Sequence, residues 1–364
     1  MLKVVLTNKI LKQISAIDGN RFSVESIKLP QMTQDKLREK AKRRSSYASN
    51  RIEGNPLTES QANEAMEMDD SNHLLTPERD MQNYYLALNL LEEKRMKHTP
   101  FSKNLLLEVQ ALVEKGAPDK KIGLRGATPP GVLFAVYDSV SGSPEYIPPE
   151  YSDIPVLLDE LTDYVNTTDD HPLIVAAVVH YQLVTIHPFE DGNGRTARLM
   201  SGYILDSNGY HFNGIGSLEE YFAYDPDEYY ASLQMGLPAR YDSGRDNPPH
   251  PEIWIHYFLH MVELYSGKLC ELSKASTEDV LDHLNTKEKA FLAFLLQNHR
   301  IEFTPIAVSK ELGVTNRTII NRCAKLVAHN FLVPHLVKER VRSYSLNEFA
   351  RQNQEYILQR IFNK

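Results

Sequence analysis

The chain has 364 residues, 42% of them hydrophobic and 24% charged, with a formal net charge of −8. That is the mix of a globular protein with apolar material for two or three units at roughly 150 residues each, and it argues against a chain that coats nucleic acid along its whole length. Two cysteines, Cys270 and Cys323, are too few for a disulfide framework and point to reduced thiols in the cytoplasm. Met1 to Ile10 carries no cleavage-site pattern, so no signal peptide is expected. No apolar run reaches the ~18 residues that span a bilayer, so no membrane contact is expected. The longest candidate, Leu173 to Ile186, is interrupted by His180 and Gln182.

In chain order, residues 1–110 read as a helical region. The charged stretch from Gln34 ends in Glu53-Gly54-Asn55-Pro56, where glycine and proline are helix-stop signals. Thr58-Glu59-Ser60-Gln61 then looks like a cap for the next helix. A core is predicted over 111–272. It opens on a β-hairpin, from Val132–Tyr137 and Tyr146-Ile147 around Gly142-Ser143-Pro144, because those runs are β-branched and aromatic. Helices follow near Ile154–Val165, Leu173–Ile186, Gly194–Leu205, Glu228–Leu237 and Glu252–Leu272. The helix to Ile186 stops because His187 precedes Pro188, and Asn208-Gly209 stops the next. Over 280–350, helical patterns at Lys287–Asn298, Pro305–Leu312 and Asn316–Asn330 precede a hairpin-like Leu332–Leu346, a winged helix-turn-helix pattern. Residues 351–364 are left as a tail.

The chemistry concentrates in His187-Pro-Phe-Glu-Asp-Gly-Asn-Gly-Arg-Thr-Ala-Arg198. Gly192 and Gly194 permit positive φ, so consecutive amides can turn inward as an anion nest, and the helix that starts there adds its N-terminal charge. Arg195 and Arg198, three apart on that helix, suit a polyphosphate. Asp191 would repel phosphate alone, but makes sense as the ligand of a bridging Mg²⁺. His187, at the mouth of the loop, can take a proton from an attacking hydroxyl. Together they describe a phosphoryl- or nucleotidyl-transfer site. It is no Walker A loop, since Gly-Lys-Ser/Thr is absent and a helix precedes it.

This segment resembles the signature of the Fic family, His-Pro-Phe-x-Asp/Glu-Gly-Asn-Gly-Arg-x-x-Arg, at every fixed position. The resemblance implies a mainly α fold, a Fic-type helical core with a β-hairpin flap that aligns the target by strand addition. It implies ATP with Mg²⁺ as cofactor, and transfer of AMP to a Ser, Thr or Tyr hydroxyl of a protein target, self-modification included. His187 is then the base and Asp191 the metal ligand. Gly192, Asn193, Gly194 and Arg195 line the phosphates, Arg198 meets the γ-phosphate, and Thr196, Ala197 and Glu53 complete the ATP-binding stretch. Tyr230, of the pair Tyr229-Tyr230, is expected at the adenosine end. A glycine at 194, where the related Doc kinases have lysine, favours AMP transfer. Ser49-Asn-Arg-Ile-Glu53-Gly54 resembles the family's inhibitory motif, with Ser49, Glu53 and Gly54 at its fixed positions. Glu53 would compete with the γ-phosphate for Arg198. A homodimer is the family expectation.

Residues 286–347 hold ten Lys/Arg (287, 289, 300, 310, 317, 322, 325, 338, 340, 342) against four Glu (288, 302, 311, 339), a balance of +6 inside an acidic chain. Asn316, Arg317, Thr318, Asn321 and Arg322 open the second helix of the pair, and Lys338, Arg340 and Arg342 lie in the wing, a plausible DNA footprint. Three other readings stay open: a DNA-binding regulator whose nucleotide site only senses, a phosphotransferase, and a phosphodiesterase that removes AMP.

Overall fold

The structure, a computed structural model, describes residues 2–27, 29, 31–68, 74–117, 121–137, 142–298, 302–337 and 340–362. Two compact units are present: Met1–Gly19 with Leu37–Gly267, and Asn20–Lys36 with Lys268–Lys364. The expected boundary near residue 110 falls inside the first.

The first unit contains α1 (Asn8–Ser26), α2 (Gln31–Ile52), α3 (Glu59–Glu67), α4 (Thr76–Met96) and α5 (Lys103–Val113). Strands β1 (Val136–Tyr137) and β2 (Pro144–Tyr146) follow, then α6 (Ile154–Thr167), α7 (Pro172–Ile186), α8 (Asn193–Ser207), α9 (Glu219–Phe222), α10 (Pro226–Gln234) and α11 (Glu252–Asp282). The division between units runs through α1, α2 and α11. Helix α7 is apolar on every side, which suits only a central helix. All of it except Pro172 and Val184 is buried. Trp254, wholly buried, donates its indole N–H to the Ala177 carbonyl at 2.8 Å. Helix α8 packs along α7 and is flanked by α4 and α5, so the loop between α7 and α8 is held on rigid elements.

Local signals account for most ends. Gly54 has φ +80° after α2, and Thr58 with Gln61 forms the reciprocal cap of α3. Three expectations need correction. The hairpin is shorter than Val132–Ile147: Pro129 to Val132 forms a turn, and Pro144, paired with Tyr137, has no N–H for the ladder; its tip, 138–141, lies outside the described residues. Helix α10 starts earlier, because Asp225 accepts from the Glu228 amide with Pro226 at the first helical position. Helix α11 runs ten residues past Leu272, to Asp282, because its polar continuation holds no glycine or proline to stop it.

The second unit contains α12 (Thr286–Gln297), β3 (Glu302–Phe303), α13 (Pro305–Glu311), α14 (Asn316–Ala328), β4 (Leu332–Val337), β5 (Arg340–Leu346), α15 (Glu348–Gln352) and α16 (Gln354–Phe362). Its strands form an antiparallel sheet in the order β3-β5-β4. Phe291, Leu295, Ile319, Cys323, Leu326 and Phe331 fill its core. Arg300, Lys338 and Glu339 lie outside the described residues. The expected tail at 351–364 is not a tail. Ile357 is fully buried in the core, and Gln354 donates to the Leu296 carbonyl at 3.1 Å. The hydrophobic spacing Ile357, Leu358, Ile361 is too short to signal a packed helix from sequence alone.

Ile357→Ala should therefore leave a cavity and cost the second unit about 2–5 kcal/mol. Amide hydrogen exchange should quicken across 286–357 and stay unchanged across α7 and α8. Unchanged exchange throughout would make 351–364 dispensable.

Candidate functional site

His187 ends α7 in the left-handed region, φ 50° and ψ 58°. The residue before proline avoids the α-helical region, and here it takes the mirror conformation, one that a non-glycine residue adopts only when its surroundings enforce it. Arg125 supplies part of that enforcement. Its Nε donates to the His187 carbonyl at 2.8 Å and its amide to the Pro188 carbonyl at 2.9 Å. Its guanidinium also donates to the Pro149 carbonyl and lies 4.6 Å from the Phe134 ring centroid. His187 Nδ1 lies 3.3 Å from the Val184 carbonyl, which assigns the proton to Nδ1 and leaves the Nε2 lone pair free. Burial, foremost, and the nearby Arg125 charge push the imidazole down to about 4.

The loop is braced from within. Asn193 accepts from the Phe189 amide at 3.0 Å and donates to the Phe189 carbonyl at 2.9 Å. Gly192 has φ +77°, as expected. Gly194 does not: it is an ordinary helical residue of α8. Its lack of a side chain serves closeness instead, since a Cβ there would sit 2.2 Å from Glu53 Oε1. The amides of Asn193, Gly194 and Arg195 open α8, where no intrahelical acceptor exists for them.

The two arginines diverge. Arg195 meets Glu114 at 2.7 Å, Asp80 at 3.5 Å and Asp191 at 3.6 Å. Burial, the largest effect, raises Glu114 and Asp80 above the usual carboxylate range despite Arg195. Asp191 pairs with Lys121 and accepts from the Gly192 amide at 2.8 Å. Burial works to raise its pKa, but Lys121, the Gly192 amide and Arg195 outweigh it and hold it below the ordinary value. Arg198 is 2% exposed. It donates to Ser49 Oγ at 2.8 Å, the Ser49 carbonyl at 3.0 Å, Tyr229 at 3.3 Å and Glu53 Oε1 at 2.7 Å. Burial opposes its charge, yet Glu53 and the surrounding tyrosine oxygens hold its pKa above the ordinary arginine value.

A cavity of about 460 Å³ joins His187 to Arg198; Asp191, Gly192 and Arg195 do not line it. His187, Asn193, Gly194, Arg198, Glu53 and Tyr230 line it, with Val136, Glu145 and Tyr146 from the hairpin and Tyr229, Leu233 and Gln234 from α10. Thr196 and Ala197, expected in the ATP-binding stretch, do not line the cavity and are buried, at 1% and 0% exposure, on a helix whose residues from Arg195 to Ser201 are all buried. Sequence reasoning missed Asp80, Glu114, Lys121 and Glu145. Each comes from an element distant in sequence, and none carries a local signal.

A single ionised, partly exposed carboxylate with a cation already against it is a donor set that fits Mg²⁺, which takes one or two carboxylates and completes its shell with phosphate and water. Asp191 is that residue.

Residues 100–205 match the Fic/DOC family. The protein adenylyltransferase Fic of Nematostella vectensis is 28% identical over 203 residues, 55% of this chain and 45% of that protein. The protein adenylyltransferase fic-1 of Caenorhabditis elegans is 35% identical over 114 residues, 27% of this chain and 22% of that protein. The chain thus spans less than half the length of these relatives. Among solved structures, a Fic family protein from Desulfovibrio desulfuricans has the same fold over 96% of this chain and 98% of its own, with a TM-score of 0.61 at 19% identity. A Fic domain containing signaling protein from Bacteroides thetaiotaomicron covers 74% of this chain and 98% of its own, with a TM-score of 0.55 at 18% identity. The loop at 187–198 lies inside the segment that matches the Fic/DOC family, residues 100–205.

Proposed function

We propose that this protein is a protein adenylyltransferase, held in check by its own Glu53. One observation carries the reading: a free imidazole lone pair at His187 and a buried guanidinium at Arg198 line the same cavity, and a carboxylate of the same chain occupies the guanidinium. His187 Nε2 takes the proton of a target Ser, Thr or Tyr hydroxyl. The hydroxyl oxygen bonds to the α-phosphorus of ATP, the bond from that phosphorus to the α–β bridging oxygen breaks, and pyrophosphate leaves. The amides of Asn193, Gly194 and Arg195 bind phosphate oxygens, Arg198 the γ-phosphate, and Tyr230 borders the adenosine end. Bound at Asp191 and the phosphates, Mg²⁺ would supply charge neutralisation. Glu53 and the γ-phosphate compete for one guanidinium, so ATP binds misplaced until Glu53 leaves. The target is a protein of another kind or this chain itself. A cytoplasmic homodimer belongs to the same proposal; among the described residues no helix is long and apolar enough to cross a membrane.

Glu53→Gly should raise label incorporation from α-labelled ATP by ten- to a hundredfold, since misplacement of the reacting phosphate costs about a hundredfold. The variant should fold, because Ser49 and Tyr229 still accept from Arg198. Adding Arg198→Ala should abolish most of the gain. Equal incorporation by wild type and Glu53→Gly would reduce Glu53 to an ordinary helix end. γ-Labelled ATP should leave no label, which separates this reading from a phosphotransferase.

His187→Ala in the Glu53→Gly background should keep ATP binding and lose about 10²–10⁴ in rate. The pH profile carries a sharper expectation. The folded pKa lies near 4 and the unfolded value near 6.5, so the buried imidazole stays neutral as pH falls through 6. The acid limb of kcat/KM should lie below pH 5, and His187 should destabilise the fold only as pH falls from about 6.5 towards 4. An acid limb centred at 6.5 would remove the burial argument.

The second unit supports DNA binding as an added property. Asn316, Arg317, Asn321 and Lys325 are exposed on α14 and Arg340 and Arg342 on β5, a basic face on a winged helix-turn-helix. Duplex binding by the full chain should weaken steeply between 50 and 200 mM salt, roughly as the number of phosphate contacts, and Arg317→Ala should weaken it further. Salt-independent retention, or none at low salt, would assign that face to protein contact.

A further inference from the structure

We infer that Glu219 is a second hold on the inhibitory helix, a positioning residue whose hydrogen bond to Ser45 sets how readily Glu53 leaves Arg198. The inference rests on the autoinhibitory reading of Glu53. Ser45 and Ser49 on α2, and Glu53 one residue past its end, recur every fourth residue and all reach the same side of the helix. Ser49 and Glu53 grip Arg198. Ser45, one turn earlier, donates to Glu219 Oε2 at 2.8 Å. The carboxylate is 9% exposed and also accepts from Ser217 at 3.2 Å and, on Oε1, from Tyr84 at 3.0 Å. A buried carboxylate bonded by three hydroxyls is a strong anchor, since hydrogen bonds to a charged group contribute more than neutral ones.

The anchor sits on a strained segment. Phe212, Asn213 and Gly214 follow one another with φ of 46°, 59° and 68°. Only the glycine adopts that region without cost, and a buried Phe there is unusual. The same segment takes hold of α2 at other points: the Asn213 carbonyl accepts from Arg38 Nε at 2.7 Å, and Glu220 meets Arg44 at 3.6 Å. Residues 212–220 thus form a receptacle for the inhibitory helix, separate from the nucleotide cavity. Ser45, Glu219 and Arg198 also border a second cavity of about 110 Å³. That is room for water, which can replace the Ser45 hydroxyl at the carboxylate when α2 shifts, so the hold can open without orphaning a buried group.

The experiment compares label incorporation and ATP affinity across Ser45→Ala, Glu219→Gln, Glu53→Gly and the two doubles carrying Glu53→Gly. Ser45→Ala should raise ATP affinity and incorporation by roughly three- to tenfold, as expected for one lost charged hydrogen bond biasing a two-state equilibrium. Glu219→Gln should act in the same direction. In the Glu53→Gly background both should change nothing, because the contact they loosen is already gone. Wild-type behaviour of Ser45→Ala and Glu219→Gln beside an activated Glu53→Gly would overturn the second hold and leave the autoinhibitory reading standing. Equal changes in both backgrounds would make Glu219 a packing residue. A silent Glu53→Gly would overturn both. Should Glu219→Gln fail to fold, Ser45→Ala decides alone, since Tyr84 and Ser217 still meet the carboxylate.

Discussion

A guanidinium that is 2% exposed must have its charge met, and Arg198 shapes the site accordingly. Five donors need acceptors in a space that excludes most water. The chain supplies a serine hydroxyl and carbonyl from α2, a carboxylate just past its end, and a tyrosine hydroxyl from α10. The tyrosine is itself oriented. Tyr229 lies 3.1 Å from His180 Nε2, and burial, then the Arg198 charge, holds His180 well below its ordinary pKa. A neutral imidazole there can accept the Tyr229 proton, which turns a lone pair of the hydroxyl towards Arg198. The docking of α2, the placement of α10 and the buried polar atom on the central helix α7 all answer one charge.

Arg195 solves a different problem. It lies among Asp80, Glu114 and Asp191, with Lys121 on Asp191. With Arg79 beside Asp80, three acids there face three bases, so the cluster is matched in charge and Asp191 is its most exposed carboxylate. Glu114 Oε1 also stands 2.7 Å from where a Cβ on Gly192 would lie. The glycine therefore serves the turn and the close approach of this carboxylate together.

What could be read from the sequence follows from how local each signal is. Twelve contiguous residues carry the loop, and its helix–loop–helix setting was legible from an apolar helix, a proline and a glycine. The reciprocal cap at Thr58 and the glycine stops were legible for the same reason. Glu53 was reachable only through a motif resemblance, because a glutamate before a glycine has no chemistry until Arg198 is beside it. Glu114, Asp80, Lys121 and Glu219 were not legible: their partners lie 70 or more residues away along the chain. Gly194 misled for an instructive reason. Glycine suggests positive φ, whereas here it makes room for a carboxylate. The polar stretch after Leu272 misled too, since polarity without a stop signal does not end a helix.

On the proposed reading, base and inhibitor line one cavity but rest on different supports, which makes the arrangement reversible. His187 is held by Arg125, Val184 and a strained backbone turn, contacts in which Glu53 takes no part. Glu53 has a side chain 35% exposed at the cavity edge, against 1% for the arginine it grips. The carboxylate is already partly hydrated and can pass into water, while the arginine keeps three other acceptors from Ser49 and Tyr229. A chain that inhibited itself by displacing the base would have to rebuild a strained loop at every release. By occupying the proposed phosphate position instead, Glu53 would leave the chemistry assembled and make the competing ligand the substrate's own charge.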